Sequence, residues 1–259
     1  MTTPSSDATW ADEPTLYPYA AWKALPARHL LVLAPHPDDE VLGCGGSIAA
    51  SLAEGSHVDV IVASDGGLGG DPGVREAEST DAARVLSSAG EGTLRLFFWR
   101  LPDRSLAGHA QLEARVIEAL ACTQAELLLL PSPFEIHPDH RGLCLAGIEA
   151  ARTLDWRGEL LFYEVGHPLQ ADRLVDITAW LVLKRRAIDC FASQLAVQAY
   201  GEQLLGLNRY RAYTLGPSVS HAEAFQSVAR RCWREGLDGI RAELSRRLQA
   251  RYPASLSRP

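Results

Sequence analysis

Two short stretches of this chain each place a His-Pro-Asp just downstream of an apolar run. The first, His36-Pro37-Asp38-Asp39-Glu40, follows residues 29–34 and Pro35. The second, His137-Pro138-Asp139-His140, follows residues 127–130. A hydrolytic zinc site takes three protein ligands and keeps a fourth position for water. His36, Asp39 and His140 can supply two imidazoles and one carboxylate, the first two spaced i and i+3 by a rigid proline turn. Asp38 then points beside the metal, free to act as a base toward bound water. His137, three residues before His140, can face a substrate oxygen, and Asp139 can accept from His137 and fix its tautomer. One His-Pro-Asp is most simply a turn. Two in matching positions after two strands favour a metal with catalytic partners.

The elements that carry these residues follow from the hydrophobic pattern. A short apolar run bounded by proline reads as a buried strand of a parallel sheet. In open α/β sheets the ligand site lies beyond the carboxyl ends of the strands, so both clusters are expected over one edge of the sheet. Residues 57–63, 93–99, 126–130 and 159–165 read as further strands, and 43–54, 74–88, 111–122, 141–154 and 177–199 as helices. Residues 64–73 are too rich in glycine to be regular, and as a loop at the rim they are expected to leave room for a bulky group. The alternation predicts an α/β fold in a single domain, a mostly parallel sheet flanked by helices. Residues 1–24, with Trp10, Tyr17, Tyr19 and Trp22 among prolines, are expected to form an irregular arm. Residues 25–225 form the domain proper and 226–259 a helical extension rich in arginine. Its charges read as a solvated face with pairs such as Glu243–Arg247 rather than as a membrane contact.

Composition narrows the function classes. The formal charge of −7 over 259 residues argues against a nucleic-acid partner, which usually meets a basic surplus. Five scattered cysteines without a Cys-x-x-Cys pair suit reduced thiols in a cytoplasmic protein better than a disulfide framework. Residues 1–13 have neither a basic start nor an apolar core, so no signal peptide is expected. No stretch approaches the roughly 18 apolar residues of a transmembrane segment. Gly43-x-Gly45-Gly46 after a strand invites a dinucleotide reading, but its spacing is not G-x-G-x-x-G and three carboxylates would confront the pyrophosphate. Those glycines are better read as letting a helix pack closely.

Pro35-His36-Pro37-Asp38-Asp39-Glu40 closely resembles the Ala-His-Pro-Asp-Asp-Glu signature of the PIG-L/LmbE-like zinc deacetylases, with proline for the leading alanine, and His137–His140 matches that family's second motif unchanged. Weaker echoes follow in order: Arg75-x-x-Glu78, Leu101-Pro102-Asp103, Asp176-Ile177-Thr178, Lys184, Ser193-Gln194 and Ala222-Glu223-Ala224-Phe225. The resemblance spans about residues 29 to 225 and implies a Rossmann-like fold and removal of an acetyl group from an N-acetylglucosamine-type sugar or glycoconjugate. It implies metal binding by His36, Asp39 and His140, with zinc as the cofactor and Fe2+ as the alternative. It also implies a general base at Asp38, an oxyanion donor at His137 oriented by Asp139, and a substrate-binding arginine at Arg75. Assembly into an oligomer is compatible with the pattern. Two other readings stand beside it: an amidase acting on another N-acyl conjugate, and a non-catalytic module that binds a nucleotide or nucleotide-sugar. The second leaves Asp38 without a use.

Overall fold

The computed structural model describes Glu13 and residues 17–250. Strands β1 (His29–Ala34) and β4 (Leu127–Pro131) lie side by side at its centre and are buried almost throughout. Side chains alternate across a strand, so Leu30, Val32 and Ala34 enter one core while Leu31 and Leu33 enter the other. A continuous apolar run is what a sheet covered on both faces demands. With β2 (His57–Ser64), β3 (Thr93–Leu101), β5 (Glu159–Tyr163), β6 (Arg173–Asp176) and β7 (Ala222–Ser227), the sheet has the order β3-β2-β1-β4-β5-β7-β6. Strands β1 to β5 are parallel, and β7 runs antiparallel between β5 and β6.

One core packs the sheet against α1 (Asp39–Ala53), α2 (Pro72–Ser87), α5 (Leu181–Ile188) and α7 (Tyr200–Arg211). The other packs it against α3 (Leu112–Thr123), α4 (Pro138–Thr153), α8 (Arg230–Trp233) and α9 (Gly236–Gln249). The mostly parallel α/β sheet is therefore the one expected. Strand order reverses between β1 and β4, which places a crevice at their carboxyl ends. His36 leaves β1 and His137 leaves the loop after β4 at that crevice.

Several boundaries differ from expectation in ways that matter for the site. Helix α1 begins at Asp39 rather than 43, and α4 at Pro138 rather than 141, with His137 as its N-cap. Proline suits the first helical position because its missing N–H has no intrahelical partner there. Residues 177–199 are not one helix. After α5 the chain breaks at Asp189–Phe191 and resumes as α6 (Ala192–Leu195), where Ser193 donates to Glu78 from both its backbone N–H and its hydroxyl. Strands β6 and β7 and helix α7 are additions to the expected elements: β6 is only four residues long, and polar residues interrupt the alternation of both strands.

Close packing holds α1 under the site. A Cβ on Gly43 would lie 2.5 Å from the Tyr163 ring and one on Gly46 2.6 Å from Ile177, so these glycines serve helix packing. A fully buried ion pair braces the same helix. Lys184 Nζ donates to Glu223 Oε1 at 2.6 Å, to Asn208 Oδ1 and to the Leu42 carbonyl. Glu223 accepts from the Gly46 and Ser47 amides.

Most of the expected arm, and residues 251–259 of the extension, lie outside the described residues. Trp22 does pair with Val175 at the β6 edge. In α9 the expected Glu243–Arg247 pair forms at 3.1 Å, and Arg247 also reaches Asp172. All five cysteines are free. No helix among the described residues is long and apolar enough to cross a membrane.

Candidate metal centre and active site

The two His-Pro-Asp segments converge. Asp39 Oδ2 lies 3.2 Å from His36 Nδ1 and 3.2 Å from His140 Nε2. The ring centroids of His36, His137 and His140 are 4.6 to 5.5 Å apart. Each of the three histidines brings a ring nitrogen within 4.8 Å of the others, and His36 groups in the same way with Asp103 and Asp139. Asp39, in the first turn of α1, also accepts from the His36 amide. Burial works to raise the Asp39 pKa, but His140 and His36 outweigh it and hold the carboxyl well below its usual range.

The donor set fits a divalent ion. Two imidazoles and a carboxylate are a set that zinc and ferrous iron both accept. His36 Nδ1 and His140 Nε2 face Asp39, and the opposite nitrogens, His36 Nε2 and His140 Nδ1, face Asp103 and Glu135. His140 Nδ1 lies 3.8 Å from Glu135 Oε2, where metal-binding histidines commonly have a carboxylate behind the ring. Glu135 is in turn fixed by the amides of Val165, Gly166 and His167.

Asp38 stands directly beside the cluster. Its φ of 125° is a conformation that non-glycine residues adopt at a cost of roughly 1–3 kcal/mol. Neighbours hold it there: its amide donates to Glu40 Oε2, and Arg75 donates to both the Pro37 carbonyl and Asp38 Oδ2. Burial, reinforced by the charge of Asp39, raises the Asp38 pKa well above the usual carboxylate value, with Arg75 opposing. A strained, buried carboxylate of raised basicity in a cleft is a candidate for proton transfer. Glu40, pushed up to about 7 by burial, is occupied with the Asp38 amide and the Ser79 hydroxyl and anchors the turn.

His137 Nδ1 accepts from the Asp139 amide at 3.2 Å. An imidazole that accepts at Nδ1 carries its proton on Nε2 when neutral. Burial first, then the charges of His36 and His140, lower its pKa and favour the neutral ring. The tautomer is thus set, though not as expected. The Asp139 carboxylate accepts from the Arg104 and Leu106 amides in the loop after β3, and its backbone, not its side chain, orients His137. Helix capping puts that amide in reach of the ring, while the carboxylate points across to β3.

Arg75 lines the cleft and is also engaged with the protein around it. It is buried in the wall of the cleft, and its guanidinium donates to Gly66, Pro37 and Asp38. Its observed work is to hold Asp38. Two glycines of the 64–73 loop make room for this side chain: a Cβ on Gly66 would lie 2.3 Å from Arg75 Nη1, and one on Gly69 2.8 Å.

Sequence reasoning did not assign Asp103 or Glu135. Asp103 Oδ1 lies 3.3 Å from His36 Nε2, and its pKa is lowered to about 2, chiefly by His36. Its place just after β3 was the available signal, because the carboxyl ends of parallel strands lie along one edge of the sheet. The cleft around these residues has a volume of about 720 Å³.

The comparisons with known proteins match the segment that carries both motifs and the overall fold. The PIG-L family model, described as GlcNAc-PI de-N-acetylase, matches residues 31–151, which include both histidine motifs. The diacetylchitobiose deacetylase of Thermococcus kodakarensis is 26% identical over 192 residues, 64% of this chain and 70% of that protein. The crystal structure of a conserved protein from Thermus thermophilus is 30% identical and superposes with a TM-score of 0.67 over 78% of this chain and 95% of its own. The 4-carboxy-2-hydroxymuconate hydratase of Pseudomonas putida shares the fold at 22% identity, with a TM-score of 0.66 over 80% of this chain and 96% of its own. One fold thus carries hydrolytic and hydrating chemistry, and the reaction has to be argued from the site. By its paired motifs, its strand order and these matches, the chain belongs to the PIG-L/LmbE-like deacetylase family.

Proposed function

We propose that this protein is a metal-dependent hydrolase that removes the acetyl group from an N-acetylated amino sugar of the N-acetylglucosamine type, free or within a glycoconjugate. The observation that carries the reading is the Asp39 carboxylate 3.2 Å from a ring nitrogen of both His36 and His140, with the buried Asp38 beside it lining the cleft. The family and the Thermococcus relative support the same reaction class.

His36, Asp39 and His140 would hold the ion, zinc or alternatively Fe2+. Once bound, it lowers the pKa of water to near ~7 and polarises a carbonyl oxygen. Asp38 takes the proton of the attacking water. His137, its Nε2–H directed by the amide at Nδ1, donates to the oxygen that becomes negative as the carbonyl carbon turns tetrahedral. Asp38 then returns its proton to the nitrogen of the amine, which leaves as the C–N bond breaks. Arg75 and Glu40 keep Asp38 in place through both transfers. We assign residues 25–225, with the rest of β7 to Ser227, to this catalytic unit, and the free cysteines support a cytoplasmic setting.

Two measurements test the reading. Incubation with N-acetylglucosamine and its glycosides is expected to release acetate and a primary amine in equal amounts, and chelation is expected to stop it. Metal content should fall sharply in both His36→Ala and His140→Ala; unchanged stoichiometry in both would remove the assignment. By contrast, His137→Ala should keep its metal and lose on the order of 10²–10³ in kcat, the scale of a lost oxyanion donor. A variant that kept wild-type kcat would show that another group serves that oxygen.

A further inference from the structure

The two edges of the sheet are finished differently. At one, the chain covers β6 itself: the Trp22 amide donates to the Leu174 carbonyl, and the Trp22 carbonyl accepts from the Asp176 amide. At the other, β3 is nine residues long and no strand among the described residues pairs with its outer side. The Thr93 amide donates inward, to the Ser56 carbonyl beside β2. Both backbone groups of a strand residue face one side, and successive residues alternate. Arg95 and Phe97 therefore also face β2, while Leu94, Leu96 and Phe98 face outward. The outward N–H and C=O groups meet no hydrogen-bond partner among the described residues. The open stretch ends beyond Phe98. There the register shifts at a bulge, Arg100 takes a φ of 53°, and Arg115 of α3 donates to the Trp99 carbonyl.

Protein edges are commonly blunted by proline, by lysine or by an unpaired charge turned to the edge. Residues 93–99 contain no proline, glycine or lysine. Their one charge, Arg95, makes two hydrogen bonds of 2.6 Å to Asp59. Phe97 stands 43% exposed within the stretch.

A second strand satisfies such a row, and this row is self-complementary. Two copies run antiparallel about a two-fold axis at Leu96 set Leu96 opposite Leu96 and Leu94 opposite Phe98, which makes about six backbone hydrogen bonds. No outward group is left over. On the other face, Arg95 of each copy comes opposite Phe97 of the other, extending the cation–π contact that Arg95 makes with Phe97 of its own chain at 5.8 Å. The charges on this side are compatible with a second copy: Asp59–Arg95, Glu76–Arg100 and Asp81–Arg84 are each paired within one chain.

We propose that β3 is a self-association edge: two copies of this chain join β3 to β3, antiparallel about Leu96, so that one sheet runs through both subunits. The catalytic crevice lies at β1 and β4, away from this edge, so the proposal is independent of the deacetylase reading. One short strand pair is a small contact, which sets the expected Kd in the micromolar range.

Sedimentation equilibrium of the full chain is expected to show its mass rising from monomer to dimer between about 1 and about 100 μM. Phe97→Lys sets a cation opposite Arg95 of the other copy. Leu96→Pro removes an outward N–H that the chain's own ladder does not use, a place where proline is tolerated. Each should raise Kd on the order of tenfold or more, with a cooperative thermal transition showing that the variant is folded. Should Leu96→Pro fail to fold, Phe97→Lys decides. Val182→Lys, at a 72% exposed position on α5, should leave Kd unchanged. Hydrogen exchange locates the contact: the amides of Leu94, Leu96 and Phe98 should exchange more slowly at the high concentration than at the low one. A monomer throughout, an assembly whose mass Phe97→Lys leaves unchanged, or a dimer in which those three amides exchange as fast as in the monomer overturns the proposal.

Discussion

Asp38→Asn is expected to lower kcat on the order of 10²–10⁴-fold while the metal stays bound, the scale associated with a positioned general base. Asparagine is nearly isosteric, and its carbonyl oxygen can still accept from Arg75, so the buried guanidinium keeps a partner. The backbone hydrogen bond to Glu40 is unaffected, and asparagine tolerates positive φ better than most residues. What the substitution removes is the capacity to take a proton. The loss should therefore appear in kcat, with KM little changed, because the carboxylate acts on the reacting water rather than on the sugar. Asp39→Asn provides the contrast: its Oδ2 sits between the two imidazoles, so weakened metal binding is expected to precede any kinetic effect. If Asp38→Asn emptied the site and Asp39→Asn kept its metal, the two aspartates would have to exchange roles.

This pair also shows why parts of the site could be read from sequence and parts could not. Asp38 and Asp39 are adjacent in a run whose chemistry is local, so their types, order and position after a buried strand announce them. His137 and His140 are legible for the same reason. The central strands are equally legible, because β1 and β4 are continuous apolar runs. Arg75 and Asp139 were found as residues, but the protein groups they meet were not. Arg75 bonds to carbonyls of Pro37 and Gly66. Asp139 bonds to amides of Arg104 and Leu106. Backbone groups carry no sequence signature, so which of them a side chain meets is decided only when the loops are packed. Helix α7 escaped notice for a related reason. Tyr200, Leu204, Leu205 and Leu207 all pack on the core, but Gly201, Gly206 and Asn208 interrupt the stripe of an amphipathic helix.

Lys184→Met is expected to cost about 3–5 kcal/mol of stability, although the residue is far from the reacting atoms in sequence. The ammonium group is fully buried and meets three oxygens, from Glu223, Asn208 and Leu42. Methionine fills much of the same volume but leaves the Glu223 carboxylate as an uncompensated charge in a dry core. For a chain of this size the loss corresponds to a fall in Tm of roughly 6–20 °C. The exposed Asp81–Arg84 pair sets the opposite limit: Arg84→Ala should change stability by less than about 1 kcal/mol, because water screens both groups. Adding Glu223→Gln to Lys184→Met removes the orphaned charge while keeping an oxygen near the Gly46 and Ser47 amides, so the double variant should be more stable than the single one. The same pair bears on the metal. Leu42, Gly46 and Ser47 belong to the helix whose first turn carries Asp39, so loosening them lets Asp39 drift relative to His36 and His140. Weakened metal affinity in Lys184→Met, restored in part with Glu223→Gln, would connect the buried pair to the site. A folded Lys184→Met protein with wild-type Tm would show instead that the core around Glu223 admits water.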